Sequence, residues 1–280
     1  MKELAKDIFI EVKFSGVVVG AIRTAHGLIL IDAPFKVEDV RSWCSFLSGI
    51  GGGQERILVN LDTHLDRTLG VKGIESVVIA HQKAVTMIKS RPNTSKGQEM
   101  EAGAMWESYD GLNSIRWVPP EITFEQQLYL DWGVHPVILE HHAGANAAGV
   151  WVNIPDLKVV FVGDSVLVDQ PPFLAFSDVP LWLEDLKFLL SSKFSDYQIV
   201  GGRNGLITKD DVREMVKLIS SLHHIFERLR EKNVKIEEAM GTAPSIMKRY
   251  ADQPDRQEIY LNRLRWGLSM YYEQHIKPHK

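Results

Sequence analysis

Short apolar runs separated by turn residues dominate the first third of the chain and predict strands. Residues 8–14 and 17–23 are β-branched runs, and Ser15-Gly16 between them predicts a hairpin. Residues 27–32 form a third such run. Apolar and charged positions then alternate at helical spacing over residues 37–47, which predicts an amphipathic helix.

A second group of strands is predicted further along the chain, and helices follow it. The predicted strands are residues 127–130, 137–140, 149–152, 159–162 and 197–200. A helix with proline in its first turn is predicted over residues 180–190, and Thr208 is the predicted N-cap of a helical region. A last helix is predicted over about 255–275. Two groups of strands, each followed by helices, indicate a mixed α/β fold.

Residues 90–120 separate the two groups with a polar segment punctuated by glycine and proline. Such a segment predicts a mobile or lid-like excursion. Met105, Trp106 and Trp117 within it have two interpretations. They line an apolar mouth for a small ligand, or they anchor the loop.

Composition narrows the class of protein without identifying it. The chain has 280 residues, of which 45% are hydrophobic and 24% charged, and this fits one large globular domain or a domain with an appendage. The formal net charge of -4 argues against a broad nucleic-acid surface. Cys44 is the single cysteine, so no intrachain disulfide can form. With no signal peptide and no apolar run of membrane-spanning length, we expect a cytoplasmic protein without membrane contact.

The candidate chemistry begins directly after the apolar run at residues 57–59. Asp62, His64 and Asp66 alternate there, which is how a loop at a strand end directs several metal-type ligands into one pocket, and Arg67 follows. Arginine stays protonated and offers only donors, so it cannot bind a metal ion. Alternatively, the two aspartates cap backbone N–H groups of the loop.

The motif resembles the His-x-His-x-Asp-His sequence of the metallo-β-lactamase fold family, which binds two divalent metals. Further segments resemble family motifs in the same order: residues 30–34, His81, residues 139–146, residues 160–164 and residues 200–205. The resemblance implies an α/β fold of the αββα sandwich type, with two mixed sheets and outer helices. It places this domain at residues 1–232 and a C-terminal helical extension, packed on the domain, at residues 233–280.

The resemblance also implies which residues face the two metals. The first metal's ligand positions hold Asp62, His64 and Ala145, the second metal's hold Asp66, Arg67 and Arg203, and Asp164 is the bridging aspartate. Both arginines fall on the second site, so we expect no second metal. We expect ion pairs of Arg67 with Asp164 and of Arg203 with Asp66 in its place. Asp62, His64 and Asp164 remain as ligands for one divalent metal (zinc, manganese or iron), with no metal at all as the alternative.

Two functions are compatible with this pocket, and the sequence leaves open whether the protein is an enzyme. The first is a hydrolase of a small ester, lactone or thioester, with Asp66 and His142 as catalytic residues. The alternative is a non-catalytic relative whose pocket, with Arg67, Arg203 and Asn146, binds a small anionic ligand or a partner. A more remote option is metal-free acid–base chemistry with His142 or His64 as the base.

The last predicted helix carries apolar residues at near-helical spacing. They are Ile259, Leu261, Leu264, Leu268 and Tyr272, and Arg263 is predicted to lie on another face. We expect this apolar face to pack on the domain, with a homodimer contact as the alternative.

Overall fold

A computed structural model describes residues 1–52, 55–91, 101–109, 116–232 and 234–277. Within these ranges the chain forms two mixed β-sheets that pack face to face, with helices outside. The first sheet contains, in spatial order, β1 (Lys2–Ala5), β2 (Ile8–Glu11), β3 (Val19–Arg23), β4 (Gly27–Ile31), β5 (Glu55–Val59), β6 (Val77–His81) and β7 (Ile122–Phe124). The second contains β8 (Gln127–Leu130), β9 (Val137–His141), β10 (Val150–Ile154), β11 (Val159–Phe161), β12 (Gln198–Gly201) and β13 (Gly205–Ile207). The predicted αββα sandwich is confirmed.

The helices cover the outer faces of both sheets. They are α1 (Val37–Ile50), α2 (Leu65–Thr68), α3 (Lys83–Lys89), α4 (Val179–Leu189), α5 (Lys209–Glu231), α6 (Ile236–Met240), α7 (Ala243–Met247) and α8 (Gln257–Tyr271). Thr208 caps α5 as predicted, because its hydroxyl accepts the Asp211 N–H. Within the described residues, no helix combines the length and apolar character needed to cross a membrane.

The two-residue period of the strands builds the layers. In β4, Leu28 and Leu30 pack under Trp43 of α1, whereas Ile29 and Ile31 face the second sheet. In the second sheet, Trp151 of β10 faces outward to α4 and α5. Burial of each such side chain contributes roughly 1.5–3 kcal/mol, so every strand is fixed between two apolar layers.

Parallel strands bring their carboxyl ends to one edge of the sandwich. β4, β5 and β6 are mutually parallel in the first sheet, and β11 and β12 are parallel in the second. The loop holding Asp62 follows β5, the turn holding Asp164 follows β11, and Arg203 follows β12. The carboxyl ends of these five strands therefore lie in the same region.

The apolar face of the last helix packs on the domain as expected, but individual residues differ from the prediction. Buried residues of α6, α7 and α8 join the apolar cluster that also contains α4 and α5. Leu264 and Leu268 of α8 are buried as expected, but Ile259 and Leu261 are only partly buried. Arg263, predicted on another face, is 1% exposed. The error arose because a charged residue at a core position breaks the apolar pattern from which the face was inferred.

Candidate metal and ion-pair site

The loop after β5 turns sharply and buries its polar side chains. The carboxylate of Asp62 accepts the backbone N–H of His64 at 2.8 Å, and the single turn of α2 begins at the next residue. Asp62 thus caps the loop, as in the alternative interpretation of the sequence. Its second oxygen lies 3.0 Å from Nη1 of Arg67. Asp62, His64 and Arg67 are each at most 2% exposed.

Arg67 lies at the centre of a carboxylate cluster. Its Nη2 donates to Asp164 Oδ1 at 2.5 Å, and its Nη1 also lies 3.5 Å from Oδ2 of Asp32, directly after β4. A side chain at Gly202 would place its Cβ 2.8 Å from Arg67 Nη2, so only glycine leaves room for this ion pair. The predicted contact between Arg67 and Asp164 is present.

Arg203 joins the same cluster from the second sheet. Its Nε donates to Asp164 Oδ2 at 2.8 Å and its Nη1 to Asp66 Oδ2 at 2.5 Å, so the predicted contact with Asp66 is also present. Asp66 accepts two further bonds, from the backbone N–H groups of Met105 and Trp106. Both oxygens of Asp66 are therefore engaged, and the carboxylate would have to release a bond before acting as a base.

Two tryptophans of the 90–120 segment make contacts in the described part of the chain. Trp106 packs in the main apolar cluster, and Arg91 stacks over Trp117 at 4.8 Å. Of the two interpretations, these contacts favour the one in which the tryptophans anchor the loop. Residues 92–100 and 110–115, which carry the rest of the expected excursion, lie outside the described residues.

Glu101 is a site residue that no sequence pattern indicated. Its Oε1 lies 2.6 Å from His64 Nδ1, and its Oε2 accepts the backbone N–H of Leu65 at 2.9 Å. No motif surrounds Glu101, and the contact joins residues 37 positions apart. Only the tertiary structure brings this carboxylate to the histidine.

The electrostatics favour charged forms in spite of burial. Burial raises the pKa of Asp164, but Arg203 and Arg67 reverse the effect and hold that pKa well below its ordinary value. Burial also raises the pKa of Glu101, but the His64 imidazole more than compensates, and the result is about 2. The same pair raises the pKa of His64 above its ordinary value, although burial alone would lower it.

Asp32 is the exception. Its backbone has a left-handed φ of 56°, which aspartate tolerates, and its Oδ1 accepts the Leu61 N–H at 2.9 Å. Burial raises the pKa of Asp32 to about 7, although Arg67 opposes the shift. The other oxygen, Oδ2, has no hydrogen-bond partner among the described residues.

Among the described residues, one set of potential metal ligands is present. Oxygens of Asp62 and Asp164 and one ring nitrogen of His64 lie within 4.8 Å of one another. The Nε2 of His64 is buried without a hydrogen-bond partner in the described structure, while Nδ1 is bonded to Glu101. A carboxylate on the far nitrogen is the usual environment of a metal-binding histidine. These residues fit one cation.

A second metal does not fit. Two of its three ligand positions hold Arg67 and Arg203, and both guanidinium groups already bind carboxylates. A divalent ion about 4 Å from one guanidinium would be repelled by roughly 8 kcal/mol at an effective dielectric constant of 20. Ala145, at a ligand position of the first site, packs in the apolar cluster instead.

His142 and Asn146 lie apart from these contacts. The His142 ring stacks on Trp151 at 3.6 Å, and its Nδ1 lies 2.7 Å from Asp185 of α4. Asn146 is buried, and its Oδ1 accepts the N–H of Ala148. Neither has a contact with the ion-pair cluster among those that the described residues make, so their catalytic and ligand-binding roles stay predictions.

The adjacent His141 forms a separate pair with His81 at the end of β6. The two rings are parallel at 3.6 Å, and their Nε2 atoms donate to the carbonyls of Ala147 and Glu125. Burial, and then the facing His141 ring, lower the pKa of His81 to about 4. Burial lowers the pKa of His141 in the same direction.

We expect this histidine pair to make the protein sensitive to acid. The folded pKa of His81 lies below the unfolded value, so its contribution to stability is complete above pH 6.5 and is lost as the pH falls towards about 4. The free energy of unfolding should fall by about 1–2 kcal/mol between pH 7 and pH 5, after allowance for partial solvation. Urea unfolding of His81→Gln should show a shallower fall, while the exposed control His26→Gln should follow the parent protein. Equal slopes for both variants would refute the assignment.

Comparison with known proteins places this geometry in a family. The family model described as the metallo-beta-lactamase superfamily matches residues 14–198, about two thirds of the chain. The chain belongs to the metallo-beta-lactamase superfamily. No curated protein matches the sequence.

Solved structures with the same fold are distant in sequence. The metallo-beta-lactamase from Pontibacter korlensis is 15% identical with a TM-score of 0.60, and the match covers 78% of this chain and 97% of that protein. The DIM-1 metallo-beta-lactamase is 16% identical with a TM-score of 0.60, and the match covers 79% of this chain and 96% of that protein. The sec-alkylsulfatase Pisa1 from Pseudomonas sp. is 12% identical with a TM-score of 0.63. There 98% of this chain is covered, but the chain spans only 50% of the alkylsulfatase. At these identities the likeness extends to the fold alone.

Proposed function

We propose that this chain is a hydrolase-like metallo-beta-lactamase-superfamily protein that lacks the two-metal centre and holds one divalent cation at Asp62, His64 and Asp164. The observation that carries the proposal is the buried His64 ring. Its Nδ1 is bonded to Glu101, and its Nε2 has no partner in the described structure and lies 3.6 Å from Asp164 Oδ2. A buried, oriented and unpartnered nitrogen beside two carboxylates is a ligand position.

Neighbouring residues would hold the ligands of that cation in position. Glu101 fixes the His64 ring through Nδ1 and leaves Nε2 without a partner among the described residues, while Arg67 and Arg203 hold Asp164 from two sides. A cation bound there would lower the pKa of a water molecule and polarise a substrate oxygen. Arg67 also repels any cation at this site, so we expect weaker binding than at a site of three histidines.

A small ester, lactone or thioester is the proposed substrate class. One polarised oxygen and one activated water suffice for attack on such a carbonyl, and this is the chemistry that a single cation supports. Membership of the metallo-beta-lactamase superfamily, a hydrolase-like family, supports this substrate class.

A second candidate is a non-catalytic relative, and a specific observation favours it. Asp62, Asp66 and Asp164 are all ion-paired with arginine and at most 3% exposed, so the cluster is held together without a metal. The Nη2 of Arg203 is buried and has no partner among the described residues. That N–H group is the donor that a small anionic ligand would use.

Metal content separates the two candidates. Protein purified without chelator should contain close to one equivalent of zinc, manganese or iron, and His64→Gln should bind that metal at least 100-fold more weakly. Zinc titration by calorimetry gives the stoichiometry and affinity. His142→Gln, the matched histidine control outside the cluster, should bind like the parent protein. A parent protein that binds no metal at millimolar concentration would favour the non-catalytic candidate, and equal losses in both variants would also count against the site.

A further inference from the structure

Arg263 is a buried cation that the mechanism above does not use. It lies on α8, and its Nε donates to the carbonyl of Gly103 at 2.8 Å. Its Nη1 donates to Gln170 Oε1 at 3.1 Å and to the Pro171 carbonyl at 2.9 Å. These acceptors are all neutral. A buried cation without a carboxylate partner is costly, so its placement needs a reason.

An aromatic ring connects Arg263 to the site. The guanidinium carbon of Arg263 lies 3.8 Å from the ring centroid of Phe173, and that of Arg203 lies 4.3 Å from it. The same ring is 4.5 Å from the His64 imidazole. Phe173 therefore contacts a proposed metal ligand and an arginine of the ion-pair cluster, and Arg263 fixes its position through a cation–π contact.

The backbone at Gly103 lies directly on α8. A Cβ at this position would lie 2.2 Å from Arg263 Cβ, and φ is +77° there, so glycine is required for both space and conformation. The segment around Gly103 supplies the Glu101 carboxylate to His64 and the Met105 and Trp106 N–H groups to Asp66. Any movement of this backbone would move all three contacts.

The charges of the nearby cluster also help to explain why Arg263 can be buried. The four carboxyl groups of Asp62, Asp66, Glu101 and Asp164 outnumber the two guanidinium groups of Arg67 and Arg203 in this cluster. Burial, and then repulsion by Arg203, lower the pKa of Arg263 to about 9, so it remains protonated at neutral pH. Arg263 is thus a third guanidinium close to this cluster, and attraction by the carboxylates of Asp66 and Asp164 offsets part of its desolvation.

We propose that Arg263 is a positioning residue of the candidate site. From the C-terminal helix it holds Phe173 against His64 and Arg203, and it holds the backbone that delivers Glu101 and the N–H groups bonded to Asp66. The site is therefore complete only when α8 is docked on the domain.

Native-state amide exchange tests this proposal in the full chain. In Arg263→Gln, the Met105 and Trp106 amides should exchange at least 10-fold faster, while the Val152 amide of the central strand β10 exchanges at the parent rate. Arg263→Lys, which keeps the charge but loses the planar stack, should show a smaller increase. The matched control is Arg265→Gln, an exposed arginine of the same helix. Parent rates in Arg263→Gln, or an equal acceleration at Val152, would overturn the proposal.

A second variant covers the case in which Arg263→Gln fails to fold. Phe173→Leu keeps Arg263 and its hydrogen bonds but removes the ring between the two arginines. It should alter the visible absorption of protein-bound Co²⁺ and weaken Co²⁺ binding at least 10-fold, and unchanged binding would contradict the proposal. Only this cobalt measurement rests on the proposed metal function. If the parent protein takes up no Co²⁺, that function fails, while amide exchange in Phe173→Leu and Arg263→Lys still decides the role of Arg263: parent rates at Met105 and Trp106 in both would refute it.

Discussion

Replacement of Arg67 by methionine is expected to reduce the free energy of unfolding by about 3–5 kcal/mol at pH 7. The guanidinium is fully buried and lies within 3.5 Å of carboxylate oxygens of Asp32, Asp62 and Asp164. Methionine fills much of the volume but leaves the carboxylates without their shared cation. Urea unfolding measures the loss, and Arg41→Met, an exposed site on α1, should stay within about 0.5 kcal/mol of the parent protein.

The double variant Arg67→Met/Asp164→Asn shows whether the loss is electrostatic. Removal of one of the stranded charges should recover stability relative to Arg67→Met, because the penalty arises from unpaired carboxylates and not from lost volume. For the same reason the single variant should lose less stability at pH 4 than at pH 7, since protonation relieves the repulsion. A loss below 1 kcal/mol at pH 7, or a loss independent of pH, would mean that Arg67 is not the counter-ion of the cluster.

Local patterns were sufficient for most of the fold. The hairpin of β2 and β3, helix α1 and strands β8 to β12 lie within three residues of their predicted positions. Each combines a clear period with turn residues at its ends. β1, β7 and β13, of three or four residues each, were not predicted. Pairing with a neighbouring strand stabilises them, and a single sequence does not show that pairing.

The candidate site was predictable only where its residues follow strand ends. Asp62, His64, Asp66, Arg67 and Asp164 meet there because the strands before them are buried and their chain exits share one edge. Arg203 likewise follows β12.

Glu101, Phe173 and Arg263 could not be predicted in the same way. Glu101 and Phe173 lie in segments without a motif, and Arg263 breaks the apolar pattern of its helix. Their contacts with the site depend on how the C-terminal helices pack, which involves pairs of residues up to 160 positions apart. No local signal encodes a contact over that distance.

Reversal of the arginine substitutions is expected to create the second metal site. The family resemblance implies an aspartate and two histidines around a second metal, and Asp66 is already present beside Arg67 in the chain and bonded to Arg203. Arg67→His/Arg203→His should therefore bind one equivalent of Zn²⁺ more than the parent protein, as measured by calorimetry. At a zinc concentration 100 times the dissociation constant, binding should add about 2.7 kcal/mol to the stability of the variant.

The matched control keeps both positive charges. Arg67→Lys/Arg203→Lys should gain no zinc, because lysine retains the cation and offers no lone pair while protonated. Without zinc the histidine variant should be less stable than the parent protein, because Asp66 and Asp164 lose their guanidinium partners, and a chelator should reproduce that loss. If the histidine variant takes up no more zinc than the lysine control, the arginines are not what prevents a two-metal centre. The difference would then have to lie in Ala145 and the closed packing around Asp66.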